Sequence, residues 1–337
     1  MQLIGYTGGT PLDDPASFQV FEQETPTPRG HDLLVAIQAI SVNPVDTKIR
    51  ARTTEPQQPP KVLGWDAAGL VEAVGEQVTL FKPGDRVFYA GDIGRPGSNA
   101  SHQLVDERIV GHMPKTLSFE QAAALPLTGI TAWESLFSRL KLRADSDAGK
   151  RLLILGGAGG VGSIAIQVAK QVARLEVIAT ASREQSRHWC LAMGADHIID
   201  HNQDLAAQFQ QHAIAEPDYI LCLTNTDPYF TTLAKLIAPQ GMICAIVDAR
   251  EHDLSLLKNK SAGFVWEFMF TRALYQTPDI IQQHKLLCEI AQLVDEGKVR
   301  TTLNTVLGAL TPDNLREAHR RLETGHGVGK LVLTKMV

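Results

Sequence analysis

One stretch constrains this chain more than any other: Leu152-Leu153-Ile154-Leu155-Gly156-Gly157-Ala158-Gly159-Gly160-Val161-Gly162. The short apolar run predicts a buried strand, and the glycines end it. Val161, Ile164, Ala165, Val168, Ala169 and Val172 then recur at helical spacing and form one apolar face. In that setting Gly157-x-Gly159-x-x-Gly162 reads as a dinucleotide-binding fingerprint. The first glycine is expected to permit the tight turn, the second to let backbone approach a pyrophosphate, and the third to let helix and strand pack closely. Gly160 and Val161 open the helix, whose free N–H groups and positive dipole end suit phosphate. A glycine-rich structural loop is the alternative at this point.

The residues downstream favour the first reading. Apolar strands are predicted at 176–180, 197–199, 219–223 and 242–247, alternating with helices such as 184–193, which stops at Gly194. That alternation predicts a doubly wound parallel sheet with its ligand at the carboxyl ends of the strands. Ala245 and Ile246 end one such strand and are expected to offer backbone groups there.

Residues before about 125 read differently. Leu33, Val35, Ile37 and Ala39 alternate, and Ala68–Val74, Arg86–Tyr89 and Gln103–Val105 are further strand candidates. Short strands at such spacing predict a small barrel or sandwich. Ala51–Pro60 is polar and proline-rich and is expected to be a loop. Ser118-x-x-Gln121 is a capping box for a helix from Phe119, and a second helix follows Pro126 and carries Thr128, Thr131, Trp133 and Leu136. Late in the chain, the aromatic run Phe264–Phe270 is either an edge strand for a second subunit or core. A helix is predicted from about Asp279 to Glu296, another after Thr311-Pro312, and a last strand at Leu331–Leu333.

Bulk properties exclude some functions. A length of 337 residues suggests two domains, and 44% hydrophobic with 20% charged residues suits a globular core. Net charge is −5 with no basic run, which argues against a nucleic-acid partner. No apolar segment is long enough to span a bilayer, so no membrane partner is expected. The first residues lack a basic region and a cleavage pattern, and a cytoplasmic location is expected. The four cysteines are far apart and form no CxxC pair, so no disulfide or cysteine metal site is expected.

The end of the second strand of the nucleotide unit bears on the choice of cofactor. It reads Thr180-Ala181-Ser182-Arg183, with no carboxylate to take a ribose 2′-hydroxyl. Ser182 and Arg183 can both donate to a 2′-phosphate, which predicts NADPH. Otherwise Ser182 caps the next helix and Arg183 is solvated.

Val42-Asn43-Pro44-Val45-Asp46, Gly64-Trp65-Asp66-Ala67-Ala68-Gly69, Phe81-Lys82-Pro83-Gly84-Asp85-Arg86-Val87, Leu125-Pro126-Leu127-Thr128-Gly129-Ile130-Thr131-Ala132 and the glycine loop together resemble the medium-chain dehydrogenase/reductase superfamily, over nearly the whole chain. The likeness is greatest to its zinc-independent quinone-oxidoreductase-like branch. Trp266–Arg272 resembles bacterial members called zinc-type alcohol dehydrogenase-like. The resemblance implies a GroES-like β-barrel catalytic domain (1–126 and 271–337), a Rossmann domain (127–270) and a homodimer. It puts Asn43 beside the nicotinamide, with Asp46 as a hydrogen-bonding orienter and Thr131 as a nicotinamide-side contact. Phe268 and Phe270 approach the carboxamide, Lys330 the pyrophosphate, and His201 the adenosine phosphate.

Zinc-dependent relatives carry a Cys ligand where this chain has Asn43, and a His-Glu pair where it has Trp65-Asp66. Three ligands of Cys, His or carboxylate type cannot be assembled here, so no metal is expected. Without a Lewis acid, hydride transfer needs an acceptor that is already electrophilic. An NADPH-dependent quinone reductase is the expectation. Reduction of alkenals or enones, or nucleotide binding with little catalysis, are the alternatives. Lys48, Arg50 and Tyr89 are candidate proton donors among which the sequence does not choose.

Overall fold

The alternating run at Leu33–Ala39 lies within one long strand, Asp32–Val42, in what is a computed structural model that describes every residue except Ala249 and Val337. The chain divides into two units, Met1–Ile130 with Phe270–Val337, and Thr131–Met269.

The first unit is a GroES-like sheet domain built on Asp32–Val42. One edge of that strand pairs along its length with Ala67–Val74. The other edge is shared: Asp32–Ala36 pairs with His102–Asp106, and Ala39–Val42 with the returning C-terminal strand Lys330–Thr334. All three pairings are antiparallel. The register sets Leu331 opposite Val42, so Lys330 arrives beside the strand's exit. A second, three-stranded sheet joins Phe18–Glu22, Gln2–Tyr6 and Lys61–Val62.

What leaves the long strand is a helix. Asn43 keeps an extended backbone as N-cap, Pro44 takes the first helical position, and the helix runs Pro44–Arg52. The expected loop at Ala51–Pro60 therefore begins two residues later than its composition implies. Ala51 and Arg52 complete the last turn, and Thr53 N–H closes it on the Ile49 and Arg50 carbonyls.

The second unit is a Rossmann-type parallel sheet. Its six strands lie in the order His197–Ile199, Glu176–Thr180, Arg151–Leu155, Tyr219–Cys222, Met242–Ala245, Gly263–Trp266. Every ladder between them is parallel. The first strand in sequence stands beside the fourth, and this reversal of winding is where such sheets bind ligands. Leu153, Leu155, Ile178, Ile220 and Ile243 form the floor of its core, all fully buried. The aromatic run divides: Gly263–Trp266 is the outermost strand, with Trp266 and Phe268 each 46% exposed, while Phe270 is buried in the first unit.

The helix after Pro126 runs to Trp133 and then widens into a π-helical turn, Glu134–Arg139. The helix predicted from Asp279 forms from Gln282 to Asp295 and stops before Gly297, whose φ is +72°. No described helix is long and apolar enough to cross a membrane.

Candidate functional site

The glycine loop divides its labour differently from the expectation. Gly156, not Gly157, has the positive φ, +83°, and makes the turn. Gly157 is needed for packing, because a Cβ there would stand 2.8 Å from Ala179 Cβ and 3.1 Å from Cys190 Sγ. A Cβ at Gly162 would lie 2.5 Å from both the Gly156 and Gly157 carbonyl oxygens, so the helix seats directly on the loop backbone. Gly159 differs from both. A Cβ there would meet only the Gly156 oxygen, at 3.5 Å, an ordinary contact.

The helix Gly160–Gln171 starts from Gly159 with no side chain capping it. Its first N–H groups have no partner within the helix. Behind the loop, Thr180 Oγ1 accepts from Gly156 N–H at 3.0 Å, and Ser163 Oγ donates to the Gly159 carbonyl at 2.7 Å. Trp189 Nε1 donates to Ser163 Oγ at 2.8 Å and ties the next helix to the same turn. A rigid loop, an uncapped helix start and a cradle without Cβ atoms together fit a dinucleotide pyrophosphate.

Ser182 is half-buried at the end of the second strand. Arg183 is exposed and serves as N-cap of the helix Glu184–Met193, with its backbone N–H bonded to Ser186 Oγ at 3.1 Å. The cap therefore comes from Arg183 and Ser186, and Ser182 is not used for it. His201 lies two residues past the strand His197–Ile199, with Nδ1 buried and without a hydrogen bond. Ala245 and Ile246 are less available than expected. The Ala245 carbonyl accepts from Glu267 N–H at 2.9 Å, and Ile246 N–H donates to the Cys222 carbonyl at 3.3 Å. Thr131 is 5% exposed in the helix Pro126–Trp133.

In the first unit the structure brings Asn43, Asp46 and Lys330 together and adds Asp66. All four are buried, none more than 4% exposed. Asn43 N–H donates to Asp46 Oδ2 at 2.7 Å, and Asn43 Nδ2 donates to Asp66 Oδ2 at 2.8 Å and to the Trp65 carbonyl at 3.2 Å. Lys330 Nζ donates to Asn43 Oδ1, to Asp66 Oδ2 at 3.1 Å and to the Val42 carbonyl at 3.2 Å. The other Asp66 oxygen accepts from Leu127 N–H at 2.7 Å.

Asp66 thus accepts three N–H donors and donates to none, the pattern of an ionised carboxylate. Burial raises it above the usual carboxylate range, and Lys330, Asn43 and Leu127 oppose that rise only in part. Burial raises Asp46 to about 7, against the Asn43 N–H and the Lys330 charge, while Asp66's own charge adds to the rise. Lys330, expected at the pyrophosphate, has its ammonium spent on these three oxygens instead. Lysine is long enough to reach Asn43, and the ladder between its strand and Val42 leaves it there.

These residues do not fit a zinc ion. Asn43 supplies an amide that is bonded on both its oxygen and its nitrogen, Trp65 supplies no ligand, and Asp66 is paired with an ammonium. Among the described residues no group of three His, Cys, Asp or Glu is arranged to hold a metal.

The second unit holds a charged cluster that the sequence did not mark. Glu134, on the π-helical turn, and Glu267 are buried to 0% and 3% exposure. Arg139 Nε donates to Glu267 Oε2 at 2.7 Å, and its Nη2 lies 3.9 Å from Glu134 Oε2. Two carboxyls share one guanidinium. Burial first and the Glu134 charge second push Glu267 up to about 8. A single acid inside the aromatic run Phe264–Phe270 was the available signal.

A GroES-like unit, a parallel nucleotide-binding sheet and a glycine cradle define a dinucleotide-dependent oxidoreductase. Residues 29–125 match the alcohol dehydrogenase GroES-like domain, and residues 193–333 match the zinc-binding dehydrogenase domain. The chain is 48% identical to the zinc-type alcohol dehydrogenase-like protein SAS2087 of Staphylococcus aureus strain MSSA476, covering 99% of each. It is 30% identical to the quinone oxidoreductase of Lama guanicoe, over 91% of this chain and 90% of that one. Among solved structures, a proposed zinc-dependent alcohol dehydrogenase from Rhizobium etli CFN 42 superposes with a TM-score of 0.95 at 49% identity, covering 99% of this chain and 98% of that one. A quinone oxidoreductase from Pseudomonas syringae pv. Tomato DC3000 superposes with a TM-score of 0.82 at 26% identity, over 99% of both chains. The chain belongs to the medium-chain dehydrogenase/reductase superfamily of oxidoreductases.

Proposed function

We propose that the protein is an NADPH-dependent, metal-free reductase that delivers hydride to a quinone. The observation that carries this reading is the buried Asn43–Asp66–Lys330 cluster, in which Asn43 and Asp66 stand where the resemblance gives zinc-dependent relatives a Cys ligand and the Glu of a His-Glu pair. With no Lewis acid to polarise an alcohol or simple carbonyl, the acceptor must be electrophilic in its own right. The likeness to quinone oxidoreductases supports that class.

A bound dihydronicotinamide supplies the hydride. The chain's part is to hold the cofactor and to stabilise charge that develops on the acceptor oxygen. Gly159 and the uncapped helix start receive the pyrophosphate. Ser182 and Arg183 receive a 2′-phosphate, which is the ground for NADPH over NADH. The outermost strand Gly263–Trp266 has one free edge and an exposed Trp266, and it supports a homodimer through that edge. The charge balance and the absence of a basic run support an enzyme with no nucleic-acid partner, and a cytoplasmic location is part of the same proposal.

The test follows NADPH and NADH oxidation against 1,4-benzoquinone and a 2-alkenal, with and without chelator. We expect quinone-dependent loss of NADPH that ignores chelator. Arg183→Ala should raise the KM for NADPH about tenfold and leave that for NADH unchanged. Faster turnover of the alkenal moves the substrate class to enones. NADPH binding without turnover of either acceptor leaves a nucleotide-binding protein, and a preference for NADH overturns the reading of Ser182-Arg183.

A further inference from the structure

A doubly wound sheet shares a dinucleotide between its two halves. Ser182 and Arg183 follow the strand Glu176–Thr180, on one side of the glycine loop's own strand Arg151–Leu155. An adenosine end received there sends the nicotinamide end over the other half, outside the carboxyl ends of Tyr219–Cys222, Met242–Ala245 and Gly263–Trp266. The buried acidic pair stands at that end of the sheet. Glu267 directly follows the outermost strand, and its N–H is bonded to the carbonyl of Ala245, the last residue of the strand beside it. Glu134 comes one turn after Thr131 and opens the π-helical turn that carries Arg139. Glu267 Oε2 accepts from Arg139, while its Oε1 is buried without a hydrogen bond. All of these residues belong to the Thr131–Met269 unit.

We infer that Glu267 is a proton-linked sensor of the cofactor's oxidation state: it keeps its proton when the nicotinamide is the neutral dihydropyridine and gives it up when the ring is a pyridinium cation. With one proton among them, Glu134, Glu267 and Arg139 carry no net charge. Without it they carry a single negative charge, which burial leaves poorly screened. A positive ring on that half of the sheet therefore weakens the hold of Glu267 on its proton, and an ionised Glu267 tightens the binding of the oxidised cofactor to the same degree. The only transfer is one proton, from the Glu267 carboxyl to water. Its value of about 8 brings this exchange close to neutral pH. The other groups that bear on the cluster are few. The Cys244 thiol of the neighbouring strand is raised by burial to about 12 and stays neutral, and the Cys222 thiol that bears on it is raised by burial too. His252 packs on the ring of Trp266, one residue away. The inference rests on the proposed dinucleotide cofactor and is independent of the acceptor.

Binding calorimetry on the full chain tests this without turnover. NADP+ and NADPH are titrated at pH 7.5 in buffers of different ionisation enthalpy, which counts the protons released on binding. Release with NADP+ should exceed release with NADPH by about half a proton per chain. Both cofactors carry the same phosphates, so the difference isolates the ring. The ratio of the NADPH Kd to the NADP+ Kd should rise roughly fivefold from pH 6.5 to pH 9. Glu267→Gln should abolish the proton difference and flatten that ratio, while its NADPH Kd at pH 6.5 stays within about twofold of the parent's. The parent's own proton count decides the inference even where the variant does not fold. Equal release with both cofactors, each of them bound, overturns the inference and leaves the cofactor reading intact. A difference that survives in Glu267→Gln belongs to another group and overturns it as well. Binding of neither cofactor overturns the inference together with the proposed function.

Discussion

The two units of this chain each bury carboxylates, and Asp66 in one is partnered in a different way from Glu134 and Glu267 in the other. In the GroES-like unit one carboxylate, Asp66, meets three donors: an ammonium, an amide and a backbone N–H. In the nucleotide-binding unit two carboxyls, Glu134 and Glu267, share a single guanidinium. The first arrangement has more donor than it needs and fixes geometry. In the second, two buried acids meet around one guanidinium, and Glu267 is raised to about 8. A buried acid therefore does not have one meaning. Its partners decide whether it is a fixed charge or a titrating one.

The largest effect that would break this comparison is at Asp66. Asp66→Ala leaves the Lys330 ammonium buried without its carboxylate and removes the acceptor for Asn43 and Leu127. A loss of about 3–5 kcal/mol is expected by urea or thermal unfolding. A loss below about 1 kcal/mol would show that Asp66 is not the fixed charge described here.

Arg139→Met comes next and should behave differently. It removes the guanidinium that both carboxyls face, and Glu267 can take a proton. The expected cost is about 3 kcal/mol at pH 9, falling by half or more at pH 5. A cost that does not change with pH would place Glu134 and Glu267 in the same category as Asp66, and the contrast between the units would disappear.

How far each region could be read beforehand follows from sequence distance. The glycine loop is local: strand, turn and helix lie within about twenty residues, so its place was legible. Only the division of labour among Gly156, Gly157 and Gly162 was hidden, because it depends on Ala179, Cys190 and carbonyl positions that spacing does not give. Asn43-Pro44 with Asp46 was legible as the start of a helix for the same reason. The partners of Lys330 were not legible, since it meets Asn43 across 287 residues through a register that only the assembled sheet defines. The acidic pair was hidden more completely. Glu134 sits on a π-helical turn, where the usual helical spacing fails, and Glu267 follows an edge strand 128 residues beyond Arg139. Phe268 and Phe270 stand two residues apart in one aromatic run, yet they belong to different units.

The smallest effect, and the sharpest test of the proton, is Glu267→Gln. The folded-state value of Glu267, about 8, lies above its ordinary 4.5. Between those values the folded chain holds a proton that the unfolded chain has lost, so this group makes stability fall as pH rises through that window. Glutamine has nearly the same shape as the protonated acid and does not titrate. At pH 5 the variant should match the parent within about 0.5 kcal/mol. As pH rises toward 8 the parent should lose stability that the variant keeps, and the two unfolding curves should separate steadily, with the variant on top. Parallel curves across that range would mean that Glu267 is ionised in the fold. Arg139 would then compensate two charges, and the nucleotide-binding unit would hold its carboxylates as firmly as the GroES-like unit holds Asp66.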